Sequence, residues 1–479
     1  MVSPSLLLAV VFVPILGACL LPVTGRLSAK FRNALAFLGV LVPFVALLSL
    51  LPDALSGTPV SLTIPLPLGL SFGLMADGLA VFMALISAFL GLIIVLYSYG
   101  YIAHSPHQGE YYFFVVLFIG AMMGITLTTN LIFLYTFWEI SAICCWRLIG
   151  FFREKEYVRR ANKAFLITGA GALIMLGGFI AIYQQYGTFD LTVLKRKPIS
   201  DLAVILILFG ILSKSATLPL HSWLADGGVA PTPATALLHA AVLVKIGVYV
   251  FTRLFVVNFE ISQVFHVIVP VIAAVSAMLS AGAAIREDDI KRIIAYSTVS
   301  QLGFIMLGLS VGGELSLAGG LLYILMHAVS KAGLFLCAGI IEHACHTKDI
   351  RRMGGLFKQM PVTAVSFLLC AFSVMGLPPF GGFFSKYMVI AGTVEAGQPI
   401  IAIVFIISAV MTLIYLMRAF MLVFLGEPRE TYPDAHDATP TMVASVSLLA
   451  VLSLVSGLLV ATPADYVEKI VTQMAVILK

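Results

Sequence analysis

Charged side chains are scarce in this sequence. Asp, Glu, Lys and Arg make up 11% of its 479 residues, whereas hydrophobic side chains make up 61%. A soluble domain of this length needs more charge on its surface. Apolar runs of about 20 residues, the length of a helix that spans a bilayer, recur along the chain. The sequence therefore predicts a polytopic membrane protein.

Cysteine is also scarce, and no two of the six cysteines form a CxxC pair. Iron–sulfur and zinc sites built from cysteine usually contain such pairs. His343, Cys345 and His346 stand together at a predicted helix end without a further ligand close in sequence, so we interpret them as an ordinary polar helix end. We predict no metal, no cofactor and no catalytic centre in the chain itself.

Fourteen apolar runs are long enough to span a membrane, and this number predicts an all-α bundle of about 14 transmembrane helices. The runs lie near residues 4–22, 33–51, 78–100, 111–129, 131–151, 162–183, 201–220, 232–256, 264–285, 291–311, 315–342, 361–392, 399–425 and 440–461.

The basic residues are distributed unequally between the two sides of this predicted bundle. Sixteen of the 28 lysines and arginines fall in alternate connections, and six fall on the other side. Cytoplasmic connections carry the excess of basic residues in membrane proteins. We therefore predict a multi-pass protein of the cell (inner) membrane, with both termini on the non-cytoplasmic side.

Two of the predicted spans are interrupted by proline, and each carries a lysine beside the break. Pro219 follows Lys214 by five residues, and Pro378 and Pro379 precede Lys386. A break frees backbone groups that only protein or water can satisfy at membrane depth, and an intramembrane charge usually marks an ion path. We predict water-filled paths to both lysines, opening toward opposite membrane faces.

Further titratable side chains lie in or beside the predicted spans. His327 and Lys331 are four residues apart and share one helix face. Glu139, in the fifth span, is either a partner for a buried cation or a titrating group itself. We interpret eight residues as a proton relay. They are the two lysines beside the breaks, Lys214 and Lys386, and also Glu139, His221, His239, Lys245, His327 and Lys331.

Two halves of the chain carry similar features in the same order. Lys214 and Lys386 are 172 positions apart, and Glu139 and Gln301 are 162 apart. We predict two five-helix repeats, each with a broken helix, that are inverted because each contains an odd number of spans. The predicted division is 1–110 for the first three spans, 111–256 and 264–425 for the repeats, and 440–479 for a final span and short tail.

Several stretches resemble the antiporter-like membrane subunits of complex I, of energy-converting membrane-bound hydrogenases and of Mrp cation/proton antiporters. The stretches are PLHSWLADGGVAPTPATALLHAA at 219–241, DIKRIIAYSTVSQLGFIMLG at 289–308, LMHAVSKAGLFL at 325–336 and GFFSK at 382–386.

The resemblance implies roles for the same residues. The acid–lysine pair of that family falls on Glu139 and Lys214, its central lysine on Lys245 and its exit lysine on Lys386. Its remaining relay residues fall on His221, His239, His327 and Lys331. The sequence stops soon after the fourteenth span, without the long lateral helix of the distal complex I subunit, which favours a hydrogenase-type or Mrp-like complex.

We therefore expect a proton-translocating subunit, with sodium as the alternative ion, in a redox-driven complex of the complex I or hydrogenase type. The expected partners are other membrane subunits, peripheral redox subunits and the lipid bilayer, and we expect no nucleic acid. A multisubunit Na+/H+ antiporter without redox chemistry is the alternative, and a purely scaffolding subunit is a third. Asp77, at the start of the third span, is either a helix cap or an entrance carboxylate.

Overall fold

A computed structural model describes residues 3–67, 70–433 and 435–478. The helices are α1 Ser5–Leu27, α2 Ala29–Leu55, α3 Gly78–Tyr101, α4 Gln108–Leu127, α5 Leu131–Ile149, α6 Lys155–Tyr186, α7 Asp201–Lys214, α8 Ser222–Asp226, α9 Thr232–Ala236, α10 Leu243–Phe251, α11 Phe265–Arg286, α12 Ile290–Ser310, α13 Glu314–Cys345, α14 Pro361–Met375, α15 Gly381–Glu395, α16 Pro399–Phe424, α17 Pro440–Leu458 and α18 Ala461–Leu478.

Twelve helices among the described residues are long and apolar enough to cross a membrane. One of them is continuous from Thr232 to Asn258 and includes α9, α10 and the π-helical turns Leu237–Ala241 and Thr252–Asn258. The two interrupted spans, α7–α8 and α14–α15, bring the crossings to the fourteen predicted. The helical, polytopic membrane fold with two broken helices is confirmed.

Two short β-pairs lie outside the helices. β1 Val60–Pro65 pairs antiparallel with β2 Ser71–Ala76, and β3 Lys197–Pro198 pairs parallel with β4 Phe259–Glu260. Both pairs lie at the end of the bundle where α1 and α3 begin and α2 ends. We call this end the terminal face, and the end where α3, α5 and α13 terminate the opposite face.

The first break follows Lys214, the last residue of α7. The chain turns through Ala216, whose φ is 49°, and the cis Leu218–Pro219 bond before α8 begins. Trp223 supplies a replacement bond, because its Nε1 donates to the freed Ser213 carbonyl oxygen at 3.0 Å. Protein atoms thus satisfy part of the interrupted backbone, and the water expected beside this break stays a prediction.

The second break has a closely similar backbone. α14 ends at Met375, Gly376 has a φ of 83°, and the Pro378–Pro379 bond is cis. In each break an amide bonds the carbonyl five residues earlier: Thr217 N to Leu212 O at 2.9 Å and Leu377 N to Phe372 O at 3.1 Å. Equivalent atoms of the two breaks are therefore 160 positions apart.

The helix pairs α5–α6 and α12–α13 are closed by the same pair of backbone hydrogen bonds, on opposite faces of the bundle. The bonds are Leu131 N to Phe189 O at 3.0 Å and Leu191 N to Thr129 O at 2.8 Å, and Ile290 N to Lys348 O and Ile350 N to Asp288 O, both at 2.9 Å. Each atom of the first set lies 159 positions before its counterpart. By this spacing and that of the breaks, Lys214 corresponds to Val374, so aligning Lys214 with Lys386 was wrong.

The segment after the last span is helical. α18 packs against the end of α2, where Gln473 Nε2 donates to Ala54 O at 3.0 Å and to Leu55 O at 3.2 Å. This helix covers the terminal face beside α3, which begins at Gly78. The predicted tail is thus an ordered part of the fold.

Candidate functional site

Four lysines lie inside the bundle at positions that the sequence analysis singled out. Lys214, Lys245 and Lys331 are fully buried, and Lys386 is 4% exposed. An unpartnered ammonium at membrane depth costs at least about 2.5 kcal/mol, so the oxygens around each one determine what it can do.

Lys214 is held by the backbone of α5. Its Nζ donates to Trp138 O at 3.3 Å and lies 5.1 Å from the centroid of the Trp138 ring. Glu139 is the next residue, but among the described residues it has no ion-pair partner within 4.0 Å, and its buried Oε1 accepts no hydrogen bond. The predicted pair is therefore an electrostatic interaction without direct contact.

A close approach between two helices connects Lys214 with Lys245. A Cβ on Gly247 would lie 2.0 Å from Ser215 Oγ and 2.7 Å from Ile211 O, so only glycine allows α10 to pack this tightly against the break. Ser215 Oγ is buried and has no hydrogen-bond partner. Lys245 stands two residues before Gly247, and its Nζ donates to Ala240 O.

His327 occupies the centre of a cationic cluster. Its imidazole is fully buried, and neither ring nitrogen has a hydrogen-bond partner. Lys245, Lys331 and Lys386 all act on it electrostatically. Buried polar atoms are rarely left unpaired in proteins, and water commonly pairs such groups. Both nitrogens are thus buried polar atoms without a protein partner among the described residues, within the electrostatic reach of three lysines.

A chain of hydroxyl and amide groups leads from Lys331 toward Lys386. Lys331 Nζ donates to Ser297 Oγ, which accepts from Tyr415 Oη at 2.7 Å. Tyr415 Oη lies 3.4 Å from Gln301 Nε2, and Gln301 Oε1 accepts from Tyr323 Oη at 2.5 Å. All five side chains are buried. This chain joins α12, α13 and α16 at the centre of the second half.

Lys386 lies at the end of that chain, beside the second break. Its Nζ donates to Val374 O at 2.7 Å and lies 4.6 Å from the Phe304 ring centroid and 5.5 Å from the Tyr323 ring centroid. Val374 O is a carbonyl at the end of α14. The charged amino group of Lys386 thus donates a hydrogen bond to a carbonyl oxygen at the break in the helix.

The two remaining histidines occupy different environments. His239 is fully buried, with Nδ1 3.0 Å from Thr235 O and Nε2 2.6 Å from Leu224 O. A neutral imidazole has one N–H and donates to only one of these carbonyls. His221 is half-buried near the opposite face, with its ring centroid 6.4 Å from that of Tyr296. It lies at the edge of the buried cluster.

Several polar residues of the site were not predicted. Ser297, Tyr323 and Tyr415 complete the chain between two lysines, and the i,i+4 spacing of Ser297 and Gln301 on α12 was the available signal. Among the described residues, no three metal-ligating side chains come together. The arrangement can hold, pass and exchange protons across the middle of the bundle.

The sequence left two roles open for Asp77, a helix cap or an entrance carboxylate. Its Oδ1 accepts from the Ala80 amide at 2.8 Å, so it caps α3. It also forms a bidentate ion pair with Arg253, with Nη1 to Oδ2 at 2.5 Å and Nη2 to Oδ1 at 2.7 Å. This pair was not predicted from the sequence.

Buried lysines and paired helix breaks within the membrane are features of ion-transporting membrane proteins. Two family models match the chain: the transmembrane family of NADH:quinone oxidoreductase and Mrp antiporters at residues 128–412, and the N-terminal family of complex I chain 5 at residues 65–112. The chain belongs to the NADH:quinone oxidoreductase/Mrp antiporter transmembrane family. The resemblance inferred from the motifs is confirmed.

Individual relatives agree with this assignment. The chain is 34% identical to the Na(+)/H(+) antiporter subunit A1 of Staphylococcus haemolyticus and 32% identical to that of Staphylococcus aureus. Each alignment covers 95% of this chain and 61% of the relative. The chain therefore spans about three fifths of the length of these relatives.

Two solved structures share the fold. A chain of the Mrp complex from a Dietzia species superposes with a TM-score of 0.90 at 24% identity, covering 99% of both chains. A chain of the membrane-bound sulfane sulfur reductase, an archaeal respiratory membrane complex, superposes with a TM-score of 0.89 at 22% identity, covering 98% of both. Both neighbours are multisubunit membrane complexes.

Proposed function

We propose that this chain carries protons across the membrane as one subunit of a larger membrane complex. The observation that carries the proposal is the buried cluster in which His327 lies among Lys245, Lys331 and Lys386. Intramembrane ionisable residues are expensive and mark ion paths by default. Three of them around one imidazole have no evident role in a scaffold.

The proposed path begins on the opposite face and ends on the terminal face. Protons reach Lys245, pass through His327 to Lys331, and continue along Ser297, Tyr415 and Gln301 to the exit at Lys386. Glu139 favours the charged form of Lys214, and a change in that interaction alters the field on Lys245. The matched backbone bonds of the two halves support the proposed inverted repeats, 111–256 and 264–425. The basic connections support the proposed orientation, in which the opposite face is cytoplasmic and both termini lie outside.

We further propose that a redox reaction in peripheral subunits drives this movement. The structural neighbour from the membrane-bound sulfane sulfur reductase, a respiratory complex, supports this assignment. A second candidate is Na+/H+ exchange without redox chemistry, which the names of the antiporter relatives favour. Both candidates use the same buried residues, so the driving force must be tested separately.

The relay is tested by Lys245→Ala in the assembled complex. The variant complex should assemble and generate no membrane potential, because the central proton carrier is missing. Lys469, an exposed residue of α18 paired with Asp465, provides the control, and Lys469→Ala should behave as wild type. A Lys245→Ala complex that pumps at the wild-type rate would exclude the relay.

The driving force is tested by purifying the complex and reconstituting it in vesicles. Redox coupling predicts that redox subunits copurify and that proton uptake requires a reductant and an acceptor. Exchange predicts that a sodium pulse alone moves protons. Proton uptake after a sodium pulse without any redox substrate would reject the first candidate.

A further inference from the structure

The Asp77–Arg253 ion pair lies at the terminal-face end of the helix that carries Lys245. Arg253 is almost completely buried, and Asp77 is 22% exposed. Lys245, Tyr249 and Arg253 follow one another at intervals of four residues, which places them along one side of the helix. The pair is therefore aligned with the central lysine of the proposed path.

A cavity reaches this pair from the terminal face. Its volume is about 200 Å³, and its lining includes Asp77, Arg253, Lys195 and the hydroxyl-bearing residues Thr126 and Thr128. A second cavity of about 370 Å³ also reaches Asp77 and Lys195. Charged side chains line both cavities, and water enters open cavities of this size where such polar groups are present. Water that enters from the terminal face thus reaches Arg253, and Arg253 lies between that water and Lys245.

The hydrogen bonds between the cavity and Lys245 do not form a proton wire. Arg253 Nε donates to Tyr249 Oη at 3.1 Å, and Tyr249 Oη donates to the Thr126 carbonyl at 2.5 Å. A guanidinium does not deprotonate in proteins, so it cannot hand a proton inward. The tyrosine proton points at a backbone carbonyl, which ends the chain.

Asp77 is equally unavailable as a proton acceptor. Its two oxygens accept hydrogen bonds from Nη1 and Nη2 of Arg253 and from the Ala80 amide. Burial raises the pKa of Asp77, but the charge and hydrogen bonds of Arg253 outweigh it and hold the pKa below its usual value. The carboxylate therefore stays ionised and bound to Arg253.

From this geometry we propose that the Asp77–Arg253 pair seals the terminal-face end of the first half, so that protons on Lys245 cannot leak into the cavity. An arginine in a narrow passage repels protons and cations. A relay that opened to both faces at Lys245 would dissipate the gradient that it builds. The seal rests on the proposed function, because it requires protons to pass through Lys245.

The test is the passive proton leak of vesicles that contain the assembled complex, under an imposed potential and without substrate. Asp77→Asn combined with Arg253→Gln removes both charges together, because a single change would leave a buried charge unpaired. We expect this double variant to raise the leak by about tenfold or more, as a barrier lower by about 1.4 kcal/mol would. Adding Lys245→Ala to it should return the leak to the wild-type level.

A second bidentate pair provides the matched control. Arg352 binds Glu430 through Nε to Oε1 at 2.7 Å and Nη2 to Oε2 at 3.0 Å, but this pair is exposed on the opposite face. Arg352→Gln with Glu430→Gln should leave the leak unchanged. If the Asp77 and Arg253 double variant does not assemble, Asp77→Ser with Arg253→Met makes the same prediction, because serine also caps a helix.

An assembled double variant that is as tight as wild type would overturn the seal. A leak that persists after Lys245→Ala would also overturn it, because the protons would then bypass Lys245. Active pumping by Lys245→Ala alone would instead refute the proposed function, whatever the leak. The two failures are therefore distinguishable in one set of vesicles.

Discussion

The four lysines singled out inside the bundle are held by oxygen atoms that carry no full charge. Lys214 binds Trp138 O and Lys386 binds Val374 O, both backbone carbonyls, and Lys331 binds the Ser297 hydroxyl. A lysine bonded directly to a carboxylate would leave an uncompensated buried charge on losing its proton, at a cost of about 3–5 kcal/mol. Neutral partners avoid this cost, and this suits the proposed relay, in which each lysine releases its proton repeatedly.

The indirect contact between Glu139 and Lys214 leads to a prediction for the double substitution Glu139→Gln with Lys214→Met. Because Lys214 keeps its bond to Trp138 O when Glu139 is changed, we expect Glu139→Gln alone to be tolerated in assembly. The coupling energy should fall below the roughly 3–5 kcal/mol of a broken buried pair. A double-mutant cycle on thermal unfolding measures it. A single variant that fails to assemble while the double variant recovers would indicate direct pairing.

Tyr415 is predicted to be necessary for rapid proton passage. Tyr415→Phe removes the hydroxyl that joins Ser297 to Gln301, so we expect a transport rate lower by about a hundredfold, the lower end of the usual effect of one proton-transfer group. The control is Tyr387→Phe, because Tyr387 is an exposed residue of α15. Equal rates for both variants would remove Tyr415 from the path.

At the scale of elements, the broken helices are stabilised by specific side chains. Trp223 reaches from α8 back to Ser213 at the end of α7, and Lys386 reaches from α15 back to α14. In each break, a side-chain hydrogen bond therefore connects the two half-helices across the gap. These side chains add to the backbone hydrogen bonds of each break, so its stability depends in part on them.

Trp223→Phe tests this dependence. The change keeps an aromatic ring and removes the only N–H of the indole, so the Ser213 carbonyl loses its side-chain donor. We expect the complex to lose about 1–3 kcal/mol of unfolding free energy, seen as a lower melting midpoint in detergent. Trp146→Phe removes an indole N–H bonded to Asn162 on an exposed surface and should have little effect. Similar shifts for both variants would contradict the proposed stabilisation of the break.

The sequence predicted the breaks and the buried lysines because proline and lysine stand out in apolar runs. It did not predict the partners, because backbone carbonyls such as Trp138 O and Ala240 O occur at every residue. Ser297 and Tyr415 are ordinary polar residues until three helices bring them together. The alignment of Lys214 with Lys386 failed because a long side chain reaches a carbonyl twelve positions away.

At the scale of the whole molecule, ion pairs are concentrated at the two faces. On the opposite face, Lys163 and Arg292 both bind Asp226, at 2.7 Å and 3.3 Å. Lys291 binds Glu342 at 2.5 Å close to the same face. These bonds tie together helix ends of both halves at the opposite face, which we propose to be cytoplasmic.

Cysteine labelling in intact cells tests which side of the membrane each face of the bundle occupies. In a Cys19→Ser background, Thr58→Cys on the terminal face should react with an impermeant maleimide added outside. Glu154→Cys on the opposite face should react only after the membrane is opened. Both positions are exposed, so access to the reagent is the variable. The reverse labelling pattern would invert the proposed orientation.

The unequal placement of the two break lysines has an evolutionary consequence. Lys214 precedes its break, whereas Lys386 follows its own and returns to Val374, the counterpart of Lys214. If the halves descend from one duplicated ancestor, the second ammonium cannot be a copy of the first. On that descent, the bend with its repeated backbone bonds is the feature that the two halves inherited in common, and the position of the charge is not.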